Sequence, residues 1–132
     1  AVEELVRNSD IICTTTPSTT PVLPDDKELL RGKCIIAIGS YMPEMREIPD
    51  AVLDLMDNVY IELPYACEES GDLSQPLASG KLTKDRVKLM HEYLVSGEKE
   101  IKEGQTTYFK SVGMGLFDVC IAQKLYEVAK EK

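Results

Sequence analysis

The chain has 132 residues, 43% of them apolar and 29% charged, with 23 acidic side chains against 15 lysines and arginines and a formal charge of −8. That length allows one compact domain with a core of its own, without disulfides or metals. The negative field repels phosphate backbones and anionic headgroups, which argues against nucleic acid and membrane as partners, and no apolar run approaches the ~20 residues of a membrane span.

Residues 1–8 read as the end of a helix with Val2, Leu5 and Val6 on one face, not as a secretory signal. The chain opens on Ala1 without a methionine, which we read as processing, trimming or proteolysis. Residues 10–15 predict a short buried strand, and the three prolines in 16–24 a loop. A short helix over 25–31 carries acids in its first turn and stops at Gly32. Residues 33–38 are apolar on both faces, as a covered parallel strand requires, and 39–43 break it. A helix follows over 49–56, a third strand over 59–63, and one helical turn over 65–69 that 70–72 should end. Val87, Met90, His91 and Leu94 predict a helix over 82–95. A fourth strand spans 105–112, and a final helix over 114–130 carries Phe117, Ile121, Leu125 and Val128 on one stripe. This alternation is that of βα units on a parallel sheet, with helices expected on both faces.

Ligands of open parallel sheets bind beyond the carboxyl ends of the strands. There the chain places Thr14, Thr15, Thr16, Ser18, Thr19 and Thr20 after the first strand, Gly39, Ser40 and Tyr41 after the second, and Lys110, Ser111, Val112, Gly113, Met114 and Gly115 after the fourth. Three such ends on one rim suit a flat polar ligand, such as a nicotinamide nucleoside. Equally, hydroxyl residues beside prolines form turns, and both readings stand. Gly113-Met-Gly115 mimics the start of a phosphate loop, but its third glycine position falls on Asp118, so we read a close backbone approach instead. His91 lies on the apolar helix face without a carboxylate to orient it and reads as a packed histidine. Glu68, Glu69 and Asp72 read as a solvated or capping acidic cluster. Cys13, Cys34, Cys67 and Cys120 lack metal-site spacing, so we expect no metal and no disulfide, only buried reduced thiols.

Four segments carry a resemblance: Asp10-Ile-Ile-Cys-Thr-Thr-Thr-Pro-Ser-Thr-Thr-Pro-Val-Leu23, Ile36-Ala-Ile-Gly-Ser-Tyr-Met-Pro-Glu-Met-Arg-Glu47, Glu68-Glu-Ser-Gly-Asp72 and Thr107-Tyr-Phe-Lys-Ser-Val-Gly-Met-Gly115. In that order they resemble the ornithine cyclodeaminase/mu-crystallin family over nearly the whole chain. The resemblance implies an α/β Rossmann-type domain binding NAD or NADP, and imine chemistry: ornithine cyclodeamination, alanine dehydrogenation or ketimine reduction. It implies cofactor contacts from Thr14, Thr15, Thr16, Ser18 and Thr19, from Ile38, Gly39 and Ser40, and from Lys110, Ser111 and Val112. Cyclodeaminases and alanine dehydrogenases of the family place an aspartate where this chain has Tyr41. A phenol has a much higher pKa, so the exchange favours a ketimine-reductase type, or a non-catalytic protein holding NADPH or a small ligand, and leaves the catalytic residues unassigned.

The family's first strand, glycine-rich phosphate loop and substrate domain precede the matched region. Residues 1–132 therefore resemble the carboxyl-terminal portion of the nucleotide domain, a parallel-sheet half-domain, with 114–130 as the helix returning to the first domain. From this we expect a cytoplasmic protein whose small-molecule substrate is an imine or amino acid. Alone, the chain should bind the dinucleotide weakly or not at all and perform no turnover. It should pair with a separate amino-terminal half or with a second copy, as a homodimer.

Overall fold

The computed structural model describes residues 1–96 and 101–131. In chain order the elements are α1 (Val2–Arg7), β1 (Ile11–Thr14), α2 (Lys27–Leu30), β2 (Cys34–Ala37), α3 (Asp50–Leu55), β3 (Val59–Ile61), α4 (Ala66–Glu69), α5 (Gly71–Ser79), a 3-10 turn (Lys84–Arg86), β4 (Val87–Leu89), α6 (Met90–Ser96), β5 (Thr107–Lys110) and α7 (Gly115–Lys130). The five strands form one parallel sheet in the order β1-β2-β5-β3-β4. Thr14 lies opposite Ala37, Ala37 opposite Lys110, Lys110 opposite Ile61, and Ile61 opposite Leu89. All five strands thus end on one line, and the loops that follow share one rim. The α/β Rossmann-type expectation holds.

The core fills one face. Ile12, Ile35, Tyr108 and Val59 meet Leu29, Leu30, Val52, Leu53 and Leu73 in a single cluster to which α1 adds Val6. Contrary to expectation, the helices do not cover both faces among the described residues. On the other face Tyr60 packs beneath Tyr93 of α6, with ring centroids 5.0 Å apart, whereas Ile11 is 64% exposed and Cys13 is exposed. The physical reason is α7, which does not lie on the sheet: Phe117, Ile121, Leu125 and Val128 are all solvent-exposed.

Two elements differ from the sequence reading. The predicted helix over 82–95 is a 3-10 turn, the edge strand β4 and α6. Arg86 decides this: its guanidinium donates to the carbonyls of Leu53, Met56 and Asp57, which brings Val87 and Leu89 into register with Val59 and Ile61. His91 is accordingly exposed rather than packed. The second is α5, where residues 70–72 had read as a stop. Ser70 Oγ instead accepts the Asp72 N–H at 3.2 Å as an N-cap. Gly71 is required because a Cβ there would collide with the Pro43 and Met45 carbonyls. Pro76 sits inside the helix, and Gly80, at φ 76°, ends it in the left-handed region.

The cysteines also differ. All four are free, but Cys13 and Cys120 are exposed, because β1 and α7 leave their outer faces open, and Cys34 and Cys67 are only partly buried.

Candidate functional site: the carboxyl rim of the sheet

β1 and β2 deliver their loops side by side. Gly39 presses against the Thr15–Thr16 backbone so closely that a Cβ would collide with it, so only glycine fits. Ser18 and Ser40 therefore stand at the same end of the sheet, and Arg46 N–H seals the contact by donating to the Ser18 carbonyl at 2.8 Å.

The centre of this contact is Glu47, fully buried between β2 and α3. Its Oε1 accepts the N–H of Thr16 at 2.6 Å and the Thr16 hydroxyl at 2.9 Å. Its Oε2 accepts the Thr14 hydroxyl at 2.9 Å and the Gly39 N–H at 2.8 Å. A carboxylate can satisfy four donors in this way. Its own backbone is held in turn: Asp72 Oδ1 accepts the N–H groups of Glu47 at 2.7 Å and Ile48 at 2.9 Å.

Asp72, read from sequence as part of a solvated cluster, is buried on α5. Burial pushes its carboxyl above the usual aspartate range, and the Ile48 and Glu47 N–H groups offset this in part. Its Oδ2 faces the fully buried Lys110 ammonium at 3.8 Å. Burial pushes that ammonium below the usual lysine value, with Asp72 opposing the shift. Lys110 Nζ also donates to the carbonyls of Ser111 at 2.9 Å and Ala37 at 3.3 Å. A second carboxylate, Glu62 at the end of β3, supports the third loop: its Oε1 accepts the Ser111 hydroxyl at 2.8 Å and the Val112 N–H at 2.7 Å.

The residues singled out from sequence fall into two groups. Thr14, Thr16, Gly39, Ser40, Lys110 and Ser111 spend their polar groups inward. Ser40 Oγ, for example, lies 2.8 Å from both the Met45 carbonyl and Ser70 Oγ. Thr15, Thr19, Ile38 and Tyr41 are exposed on the rim, and Ser18 and Val112 are partly so. Lys110 points into the core toward Asp72 and not to the rim. The sequence reading assigned no role to Glu47 or Glu62. For Glu62 the available signal was an acid inside an apolar run, Tyr60-Ile-Glu-Leu63; Glu47, beside Arg46, carried no such signal. Among the described residues no group of three His, Cys, Asp or Glu side chains is placed to hold a metal, and no helix is long and apolar enough to cross a membrane.

Comparison with known proteins agrees with this architecture. The family profile described as ornithine cyclodeaminase/mu-crystallin family matches residues 1–132. A Delta(1)-pyrroline-2-carboxylate reductase of Bacillus cereus (strain ATCC 10987 / NRS 248) is 36% identical, over 100% of this chain and 41% of its own length. The ketimine reductase mu-crystallin of Rattus norvegicus is 33% identical, over 96% of this chain and 38% of its own length. The solved structure of Thermococcus litoralis Delta(1)-pyrroline-2-carboxylate reductase in complex with NADH and L-proline superposes with a TM-score of 0.80 at 24% identity, over 99% of this chain and 41% of that one. The chain thus spans about 40% of the length of the relatives it matches. Its parallel sheet, its three rim loops and these matches together show that the chain belongs to the ornithine cyclodeaminase/mu-crystallin family.

Proposed function

We propose that residues 1–132 are the carboxyl-terminal portion of an NAD(P)-binding domain in a protein that reduces cyclic imines, of pyrroline-carboxylate or ketimine reductase type rather than cyclodeaminase. The observation that carries this reading is the junction of three strand ends on one rim, where open parallel sheets take their ligands. The exposed surface there fits a nicotinamide nucleoside. Ile38, 43% exposed, offers an apolar seat for a ring, and Thr15 and Thr19 are exposed in the neighbouring loop. When bound, the nicotinamide supplies the hydride that converts an imine carbon to an amine carbon.

The chain's own contribution is a wall of fixed shape. Glu47 and Glu62 hold the loops from beneath, and Ile38 and Val112 shield one side of the ring from water. The relatives favour imine reduction: two are reductases by name, and the solved neighbour carries NADH with L-proline, the reduced form of a cyclic imine. Tyr41, 48% exposed at the rim, stands where cyclodeaminases of the family carry an aspartate, which disfavours deamination. The same exchange supports a second reading, a non-catalytic protein that holds NADPH or a small ligand.

The test is to follow NADH and NADPH absorbance in the longer protein that includes this chain, with Delta(1)-pyrroline-2-carboxylate as substrate. Imine-dependent oxidation supports the reductase reading. Tight NADPH binding with no oxidation favours the second reading, and neither binding nor oxidation contradicts both.

A further inference from the structure

We infer that Glu47 is the positioning residue of the rim: its carboxylate sets the spacing of loop 14–19 against turn 38–41, and through that spacing the affinity for the nicotinamide nucleotide. The inference rests on the nucleotide reading given above and adds to it a residue that does not touch the ligand.

Glu47 joins the two loops at four points, two on each oxygen. The donors on each oxygen are one hydroxyl and one backbone N–H: Thr16 N–H with the Thr16 hydroxyl, and Gly39 N–H with the Thr14 hydroxyl. Hydroxyls can rotate and become acceptors; backbone N–H groups cannot. An amide at position 47 has a single oxygen, so its NH₂ must face one of the two N–H groups whichever way it turns. Either Thr16 or Gly39 then loses its acceptor, and two donors are pressed together. One loop must move away from the other, and the exposed residues next to the hub, Thr15 and Ile38, move with it. Aspartate keeps four acceptor sites on a side chain one methylene shorter, so it restores the charge and part of the reach.

The experiment is an NMR titration of the full chain with NADH at millimolar concentration. It compares wild type, Glu47→Gln, Glu47→Asp and the core variant Val52→Ala at a temperature where circular dichroism shows each folded. We expect Glu47→Gln to weaken NADH binding at least about tenfold, the consequence of one orphaned N–H. Glu47→Asp should be intermediate, and Val52→Ala, which reduces core volume and removes none of the four hydrogen bonds to Glu47, should bind as wild type does. Equal affinity in wild type and Glu47→Gln overturns the inference, as does an equal loss in Val52→Ala, which would mark a general effect of stability. If Glu47→Gln does not fold, Thr14→Val removes one of the four donors and is read in the same way, with a several-fold loss expected. If wild type itself shows no NADH shifts, the chain alone lies at the non-binding end of the expectation given above, and amide exchange then decides the positioning role. Faster exchange at Thr16 or Gly39 in Glu47→Gln supports that role, and unchanged protection at both contradicts it.

Discussion

Thr16 and Glu47 are joined twice: the backbone N–H of Thr16 lies 2.6 Å, and its hydroxyl 2.9 Å, from the same carboxylate oxygen. A side chain that anchors a loop through both its backbone and its own hydroxyl leaves that loop little freedom, and Glu47 does the same for the neighbouring strand end through Thr14 and Gly39. The consequences can be measured one at a time.

Thr14→Val keeps the shape of the side chain and removes one donor from a buried carboxylate. A hydrogen bond to a charged group contributes about 1.5–3 kcal/mol, and we expect a loss of that size in urea unfolding. An unchanged midpoint and slope would show that the 2.9 Å contact of Thr14 with Glu47 contributes nothing.

Gly39→Ala places a methyl group against the Thr15–Thr16 backbone. Overpacking costs about 1–3 kcal/mol, and because backbone atoms are the obstacle, relief requires the two loops to part. Thermal unfolding should fall accordingly, with amide shifts concentrated at Thr15, Thr16 and Ser40. A wild-type spectrum at those positions would contradict the close approach.

Asp72 sets a pH dependence of unusual sign. Its carboxyl is raised by burial, so just above the ordinary aspartate value of about 3.9 the folded chain holds more protons than the unfolded chain, and this group makes stability fall as pH rises. Its contribution is fully present below that value and is lost as pH rises through the raised one. Asp72→Asn removes this slope. The stability of the variant relative to wild type should therefore climb as pH increases from about 4. A flat or falling difference would show that Asp72 is not raised.

The edge of β1 bears on association. Among the described residues its one strand neighbour is β2, its outward Ile11 is exposed, and within Ile11–Thr14 there is neither lysine nor proline to guard the edge. We expect the chain alone to sediment as a dimer or larger species, and Ile11→Lys to shift it toward monomer. A wild-type monomer at all concentrations tested would remove this proposal.

Much of this was readable from sequence, for identifiable reasons. Residues 33–38 are apolar on both faces and admit little but a buried strand, and Asp26 ahead of Lys27–Leu30 is an N-cap whose side chain accepts from Glu28 and Leu29 N–H. The strand Val87–Leu89 was hidden because Val87 also fits a helical period with Met90, His91 and Leu94; the long-range grip of Arg86 on Leu53 and Met56 selects the strand. α5 was hidden because Gly71 and Pro76 signal breaks locally, while here the glycine answers a tertiary close approach. The rim hydroxyls were visible as a group, but not which of them turn inward. That depends on Glu47, Asp72 and Glu62, acids that composition assigns to the surface and that are buried here by donors distant in sequence.

The most direct test of the central claim is a map of backbone amide shifts in the full chain on addition of NADH. If the rim is the nicotinamide side of a dinucleotide site, shifts should concentrate at Thr15–Thr19, Ile38–Tyr41 and Ser111–Gly113, with weak affinity and no response in α2 at the opposite end of the strands. Shifts centred away from the three rim loops would contradict the account.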